Sequence, residues 1–344
     1  MRVGILTAGG DCPGLNAVIR ACGRRLMRAG HEPVGLLRGY RGLAERDHMV
    51  LDHPALSGIL HLGGTILQTS SYNPFREPDG IEKVKAAQQA DPLDAIVAIG
   101  GEHTMMITGR LHEEIGLPVL GVPKTIDNDV TGTDFTFGFD TAVQIATDAI
   151  DRLHTTAQSH DRVMVLEVMG RNTGWIAVCA GIAGGADGIV IPELELTVEE
   201  LADGIARRHQ FGKDFSIIVV AEGAELAFAS GEKRVIRESE ETDNYGYPRL
   251  GGIGEALARE LEARTGYETR VTRLGHVQRG GTPTASDRLL ATRYGIQVAE
   301  MALAGEFGQM AALRGAEMTS VPLSEVEGIK TVDLRYLEVA RTFF

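Results

Sequence analysis

Short apolar runs alternate with amphipathic segments from one end of the chain to the other. Runs at 2–7, 33–37, 94–99, 118–122, 162–168, 187–191, 215–221 and 269–275 have the length and composition of buried strands. Between them, 14–29, 80–90, 103–115, 139–157, 172–183, 197–209, 250–264 and 285–304 are candidate helices. In 139–157, Ala142, Ala146, Ala149, Ile150 and Leu153 fall at the i, i+4, i+7 spacing of one helix face. The alternation predicts an α/β fold with largely parallel sheets and helices on both faces. Ligands in such folds collect at the carboxyl ends of strands, and there this chain places its polar and glycine-rich segments. Residues 229–249 are charged and turn-rich, which predicts a surface excursion.

Composition narrows the picture. A chain of 344 residues is enough for two domains or one large α/β unit. Its 43 glycines, about one residue in eight against a typical ~7%, require many tight turns and close backbone approaches. A net charge of −13 argues against generic nucleic-acid binding and against an anionic membrane surface. Any cations that grip phosphate must therefore be concentrated locally. Cys12, Cys22 and Cys179 form no CxxC pair and make neither a disulfide framework nor a zinc site. The most apolar stretch, 175–186, is too short and glycine-rich to span a bilayer. With a strand starting almost at the initiator Met, no signal peptide is expected, and the expectation is a soluble cytoplasmic protein.

Residues 123–129 read Pro-Lys-Thr-Ile-Asp-Asn-Asp and follow the run at 118–122. The segment packs a cation (Lys124), a hydroxyl (Thr125) and two carboxylates (Asp127, Asp129) together, which suits phosphate, a divalent metal and a proton. An Asx-rich turn accounts for the same residues without chemistry. Residues 8–14 join the first strand to the first helix, where glycines such as Gly10 let backbone N–H groups approach an anion. Gly100, Gly101, Glu102, His103 and Thr104 repeat that geometry and add a carboxylate of the kind a hard cation binds. The alternative is an acidic residue serving only the helix macrodipole. Arg171 follows the fifth strand in Glu-Val-Met-Gly-Arg-Asn-Thr-Gly, and Asn172 or Thr173 is expected to cap the helix near Trp175. Arg270, Arg273, His276 and Arg279 lie within ten residues and end in Gly-Gly, a pattern resembling a sugar-phosphate grip.

These segments occur in one order: GGDCPGLN at 9–16, GGTI at 63–66, GGEHT at 100–104, PKTIDND at 123–129, HDRV at 160–163, EVMGRNTGWIA at 167–177, AEG at 221–223 and RLGHVQRGGTPTASDR at 273–288. Together they resemble the bacterial phosphofructokinase family, in the branch that includes pyrophosphate-dependent members, over residues 1 to 305. The resemblance implies a subunit of two similar three-layer α/β domains, with a phosphoryl-donor site and a fructose 6-phosphate site facing across a cleft. The expected division gives 1–138 and 252–305 to the donor domain, and 139–251 and 306–344 to the sugar domain. By matching motif, Asp127 would be the general base toward the sugar 1-hydroxyl, beside Lys124. Glu102 and Asp129 would manage Mg²⁺, and Thr125 and Arg171 would steady the transferring phosphoryl group. Gly10, Ser71, Tyr72, Gly101, Glu102, His103 and Thr104 would meet the donor, pyrophosphate or ATP. Met169, Gly170, Glu222 and His276 would line the sugar, with Arg279 on its 6-phosphate. Arg162 and Arg270 would reach in from a neighbouring subunit of a homodimer or homotetramer.

The chain also departs from the family. Ser71 stands where a donor-contacting Arg is usual, and Arg76 is the nearest substitute. Relatives that use ATP have Gly at the His103 position and those that use pyrophosphate have Asp; most relatives also have Asp at Glu102. Of the allosteric effector site, Arg20 and Arg24 remain, while His53, His154 and Phe211 replace expected basic residues. The leading expectation is a phosphofructokinase, with pyrophosphate favoured over ATP because His103 and Lys124 fill positions that ATP users often leave as glycine. A kinase of another sugar phosphate on the same fold, or a catalytically silent member, are the alternatives.

Overall fold

The predicted alternation is realised in the computed structural model of the chain, which describes residues 1–242 and 248–341. Two compact units result: Met1–Thr141 with Arg279–Lys330, and Ala142–Gln278 with the tail from Thr331. The first unit opens with β1 (Arg2–Thr7), α1 (Leu15–Arg28), β2 (Glu32–Leu36), α2 (Tyr40–Glu45), β3 (His48–Val50) and α3 (Gly80–Ala90). It continues through β4 (Ala95–Gly100), α4 (Glu102–Ile115), β5 (Val119–Thr125) and β6 (Phe137–Gly138). Helix α5 (Phe139–His160) leads into β7 (Val163–Val168), α6 (Trp175–Ala183), β8 (Gly188–Val190), α7 (Val198–Gln210) and β9 (Ser216–Ala221). Short strands β10 (Glu225–Ala227), β11 (Lys233–Val235), β12 (Arg237–Thr242) and β13 (Pro248–Leu250) precede α8 (Ile253–Thr265) and β14 (Thr269–Arg273). The chain closes with α9 (Ala285–Ala304), β15 (Gln309–Arg314), β16 (Glu317–Pro322) and α10 (Arg335–Arg341).

In the first unit the strands run β16-β15-β5-β4-β1-β2-β3, with β6 beside β5. The interior pairs are parallel, while β3 and β16 close the edges antiparallel. All six residues of β4 are buried, as a central parallel strand covered on both faces requires. The strand order reverses between β1 and β4, and that switch point is where a doubly wound sheet leaves a crevice for ligands. Thr7 pairs Ile99 and Gly100 pairs Pro123, so the turns leaving β1, β4 and β5 emerge side by side. Helices α1 and α9 cross closely: a Cβ on Gly295 would lie 2.6 Å from the Val18 carbonyl oxygen, so only glycine fits there.

The second unit has a parallel sheet ordered β14-β7-β9-β8 over a core that includes Val163, Val165, Ile218, Leu257 and Leu261. Val168 pairs Ala221 and Glu167 pairs Arg273, which brings the turns after β7, β9 and β14 together.

Two expectations need correction. Residues 252–278 belong with the second unit because β14 adds to the edge of β7. Residues 306–330 belong with the first, because β15 pairs β5 and β16 extends it. The excursion at 229–249 contains β11, which pairs antiparallel with β10 just before it, and the antiparallel pair β12/β13, and its residues 243–247 lie outside the described residues. No helix among the described residues is long and apolar enough to cross a membrane.

Candidate active site

Four turns converge in the first unit. The β1–α1 turn is tied down from one side by Thr69, whose Oγ1 donates to the Gly9 carbonyl at 2.6 Å. Asn16 braces the 62–66 segment, donating Nδ2 to the carbonyls of Leu62 and Gly63 and accepting on Oδ1 from the Ile66 N–H. A Cβ on Gly10 would fall 2.6 Å from Nη1 of Arg279, so the glycine leaves room for that guanidinium. Arg279, expected on the sugar 6-phosphate, therefore stands against the β1–α1 turn of the first unit.

Lys124, on the last turn of β5, is buried and donates its ammonium to the Gly10 carbonyl. Burial holds its pKa below the ordinary lysine value, with Cys12, Asp11 and Asp127 pulling the other way. The strand runs on to Thr125, three residues past the expected end, because β6 pairs with Lys124 and Thr125. The Asp127 N–H donates to Thr125 Oγ1 at 3.1 Å, and the Thr125 carbonyl accepts from Thr136 Oγ1 at 2.8 Å. Asn128 sits in the left-handed region at φ 52°, which an Asn tolerates far better than a branched residue.

Glu102 opens α4 just beyond β4, with its carboxylate beside the amino end of the helix. His103 turns back on it, placing Nδ1 3.5 Å from Glu102 Oε2. Thr104 is buried in the same first turn, and its carbonyl accepts from the Tyr40 hydroxyl at 3.0 Å. Ser71 and Tyr72 are half-buried on the strap after the 62–66 segment; Arg76 is exposed on the turn beyond. No group of three His, Cys, Asp or Glu side chains gathers to hold a metal among the described residues. Glu102 and Asp129 nevertheless fit Mg²⁺, a hard ion usually held by one or two carboxylates together with substrate phosphates and water.

The second unit gathers most of its candidate residues at the carboxyl end of its sheet. The Arg171 N–H donates to Glu222 Oε1 at 3.2 Å, and the Glu222 N–H donates to the Val168 carbonyl at 2.9 Å. Met169 is held by Gln278, whose Oε1 accepts its N–H at 2.8 Å while Nε2 donates to the Ala142 carbonyl. Arg171 also has a left-handed backbone, φ 52°, following Gly170 at φ 150°. The expected cap on α6 is absent: Gly174 is the N-cap, and Thr173 instead bonds the Gly170 carbonyl. His276 is exposed in the 3₁₀ turn Gly275–Arg279. Arg162 and Arg270 are not with this group. They meet at the opposite, amino end of β7 and β14, where both pair with Glu268, Arg162 at 2.9 Å.

Three residues with a bearing on the site escaped the sequence reading. Glu167 is buried in β7 and accepts from the N–H groups of Gly252 and Gly254 at the start of α8, with Arg273 Nε 3.2 Å away. A lone carboxylate inside an apolar strand was the available signal. Gln278 lay within a motif read only for its basic residues. Lys330, in the tail beyond the resemblance, donates to Asn128 Oδ1 at 2.9 Å and to the carbonyls of Thr133 and Asp134 at 3.0 and 2.8 Å. Burial pushes its pKa down to about 8 against the pull of Asp129 and Asp134.

The order of the motifs agrees with the family that comparison finds. The profile described as Phosphofructokinase matches residues 2–302. The chain belongs to the phosphofructokinase family. A pyrophosphate–fructose 6-phosphate 1-phosphotransferase of Streptomyces coelicolor is 50% identical over 347 residues, covering 100% of both chains. An ATP-dependent 6-phosphofructokinase 3 of the same organism is also 50% identical, covering 98% of each chain. The crystal structure of a pyrophosphate-dependent phosphofructokinase from Nitrosospira multiformis superimposes with a TM-score of 0.83 at 19% identity, over 96% of this chain and 86% of that one. At that identity the likeness speaks for the phosphofructokinase fold alone.

Proposed function

We propose that this chain transfers a phosphoryl group to the 1-hydroxyl of fructose 6-phosphate, giving fructose 1,6-bisphosphate, with pyrophosphate favoured over ATP as donor. The observation that carries the reading is the turn after β5, where Asp127 is fixed on Thr125 beside a buried Lys124 that reaches across to Gly10. Asp127 takes the proton of the 1-hydroxyl as the oxygen attacks. Lys124 and the Gly10 turn hold the donor phosphates, and Arg279 holds the sugar 6-phosphate. Thr125 and Arg171 steady the phosphoryl group in flight, and Met169, Gly170, Glu222 and His276 orient the sugar. Glu102 and Asp129 would hold Mg²⁺, which when bound would neutralise phosphate oxygens and withdraw charge from the leaving group. This division suits a reaction in which positioning and charge neutralisation dominate and one base is enough.

The donor preference rests on volume. Lys124 reaches the Gly10 carbonyl and His103 lies against Glu102, and the bulk of these two side chains, at positions ATP users often leave as glycine, is the reason an α-phosphate and nucleoside are expected to be obstructed. The compact ammonium suits the oxygens of pyrophosphate. The names of the relatives favour neither donor, since equally similar proteins carry both. Purified protein with Mg²⁺, fructose 6-phosphate and either donor decides the matter: bisphosphate should form with pyrophosphate at a higher kcat/KM. Formation with neither donor overturns the reading. His103→Gly should raise ATP-dependent activity relative to the pyrophosphate reaction, and a wild type that already prefers ATP would sink the steric argument.

A further inference from the structure

Lys330 spends a whole ammonium on a turn it does not belong to. Its three N–H bonds go to Asn128 Oδ1 and to the Thr133 and Asp134 carbonyls, the full donor complement of a lysine. Its backbone N–H donates to the Asp129 carbonyl at 2.9 Å, and Val130 and Ile329 form an antiparallel bridge alongside. The tail therefore grips residues 128–134 through main chain and side chain together. Asn128 is the hub of that grip. It is fully buried at φ 52°, and its Oδ1 accepts from the Thr136 N–H at 3.1 Å and from Lys330. These donors also fix which way the amide points, because a flipped Nδ2 would face an ammonium and an N–H.

We propose that Lys330 is a positioning residue for phosphoryl transfer, acting through Asn128 to fix the turn that carries Asp127 and Asp129. The inference rests on the phosphofructokinase reading above. Asn128 lies between the two carboxylates, so its side chain and its left-handed backbone set where both neighbours go. Without the ammonium, the Asn128 amide is released to bond its own backbone in an alternative Asx turn. A misplacement of about 1 Å at a reacting group costs on the order of 10²-fold in rate. The contacts of Lys330 shown by the structure are with the turn that carries the base and not with the turns assigned to the sugar, so the loss is expected on kcat.

The test uses the full chain and the donor the wild type prefers. Lys330→Met and Asn128→Gly, the second chosen because glycine keeps the positive φ without strain, should each lower kcat by roughly 10²-fold. The KM for fructose 6-phosphate should stay within about threefold of wild type, since the sugar grip is untouched. Because both changes break one linkage, the double variant should be no slower than the worse single one. Losses that multiply, a near-normal kcat in Lys330→Met, or a rise in sugar KM matching the fall in kcat would each overturn the proposal. Lys330→Arg, which keeps the charge but spreads its donors over a planar fork, replaces Lys330→Met if that variant does not fold, with the same loss expected. A second readout needs no turnover. The Thr136 amide should exchange with solvent at least tenfold faster in the Lys330 variant, with amides of β1 unchanged; a wild-type rate at Thr136 refutes the linkage. A wild type inactive with both donors would defeat the phosphofructokinase reading and leave that exchange result to judge Lys330 alone.

Discussion

Asp127 is nine-tenths buried, with its backbone tied to Thr125 and a buried ammonium three residues behind it in the chain. A carboxylate so placed suits a general base, because the turn that carries it is tied down before substrate arrives and little of the side chain is open to solvent. Asp127→Asn keeps the volume and the turn but cannot accept a proton. Turnover should fall by roughly 10²–10⁴-fold with sugar affinity nearly unchanged. Equilibrium binding of fructose 6-phosphate alongside kcat checks this, and a variant retaining more than a tenth of wild-type turnover rules the role out. Residues of this kind were legible in the sequence because their chemistry is concentrated: two carboxylates, a lysine and a threonine in one heptad. Lys330 was not. A single lysine in a polar tail carries no local sign that its half-buried ammonium bonds Asn128, a residue some 200 positions away.

At the scale of elements, periodicity located every predicted strand and helix to within a few residues, because buried parallel strands and amphipathic helices each leave a strong pattern. The misses are of two kinds: β3, β6, β10, β11 and β13, of two or three residues, are too brief for a period to show, whereas β12, β15 and β16 have six residues each and still went unpredicted. Joints between elements were missed as well, and Asp287 is the clearest. It opens α9, is buried, and accepts from the Gly138 N–H at 2.9 Å and from the Thr141 N–H and hydroxyl at 2.8 and 2.5 Å. It thereby locks α9 onto the start of α5. Burial pushes its pKa up to about 6 from 3.8, outweighing those hydrogen bonds. A raised carboxyl pKa means that the folded state holds the proton more tightly. The stabilisation is fully present below about pH 4 and is lost as pH rises through 6, by at most about 3 kcal/mol. Asp287→Asn cannot titrate, and its amide turns a donor toward groups that are themselves donors, so it should be less stable than wild type. The stability gap between the two should narrow from pH 4 to pH 7 in denaturant unfolding. A gap that stays constant or widens would show that Asp287 does not titrate in that range.

Whole-molecule organisation was the least legible level. The assignment of 252–278 and 306–330 depends on which strand edges β14 and β15 join, and hydrophobic period carries no information about a partner far away in the chain. The same topology bears on assembly. Arg162 precedes β7 and Met169 follows it, so a six-residue strand separates them, roughly 20 Å at about 3.3 Å per residue. Arg270 pairs alongside Met164, at the same end as Arg162. A sugar held by Met169, Arg171 and Glu222 is thus out of reach of the Arg162 and Arg270 of its own chain. If both arginines serve a sugar phosphate, they serve a neighbour's, through an isologous two-fold contact in which each chain completes the other's site. Glu268 then holds the pair in place; as an exposed ion pair it adds little stability of its own, so Arg162→Ala should fold normally. That variant should be nearly inactive alone, as should Asp127→Asn. Co-expressed in equal amounts, they form heterodimers in which one site combines an intact Asp127 with an intact Arg162. With random pairing, half the dimers are mixed and half their sites are whole, so about a quarter of wild-type activity should return. Sedimentation of the mixture confirms the dimer on which the arithmetic depends. No recovery in mixed dimers, or full activity from a wild-type monomer at assay concentration, would place both arginines outside the shared site.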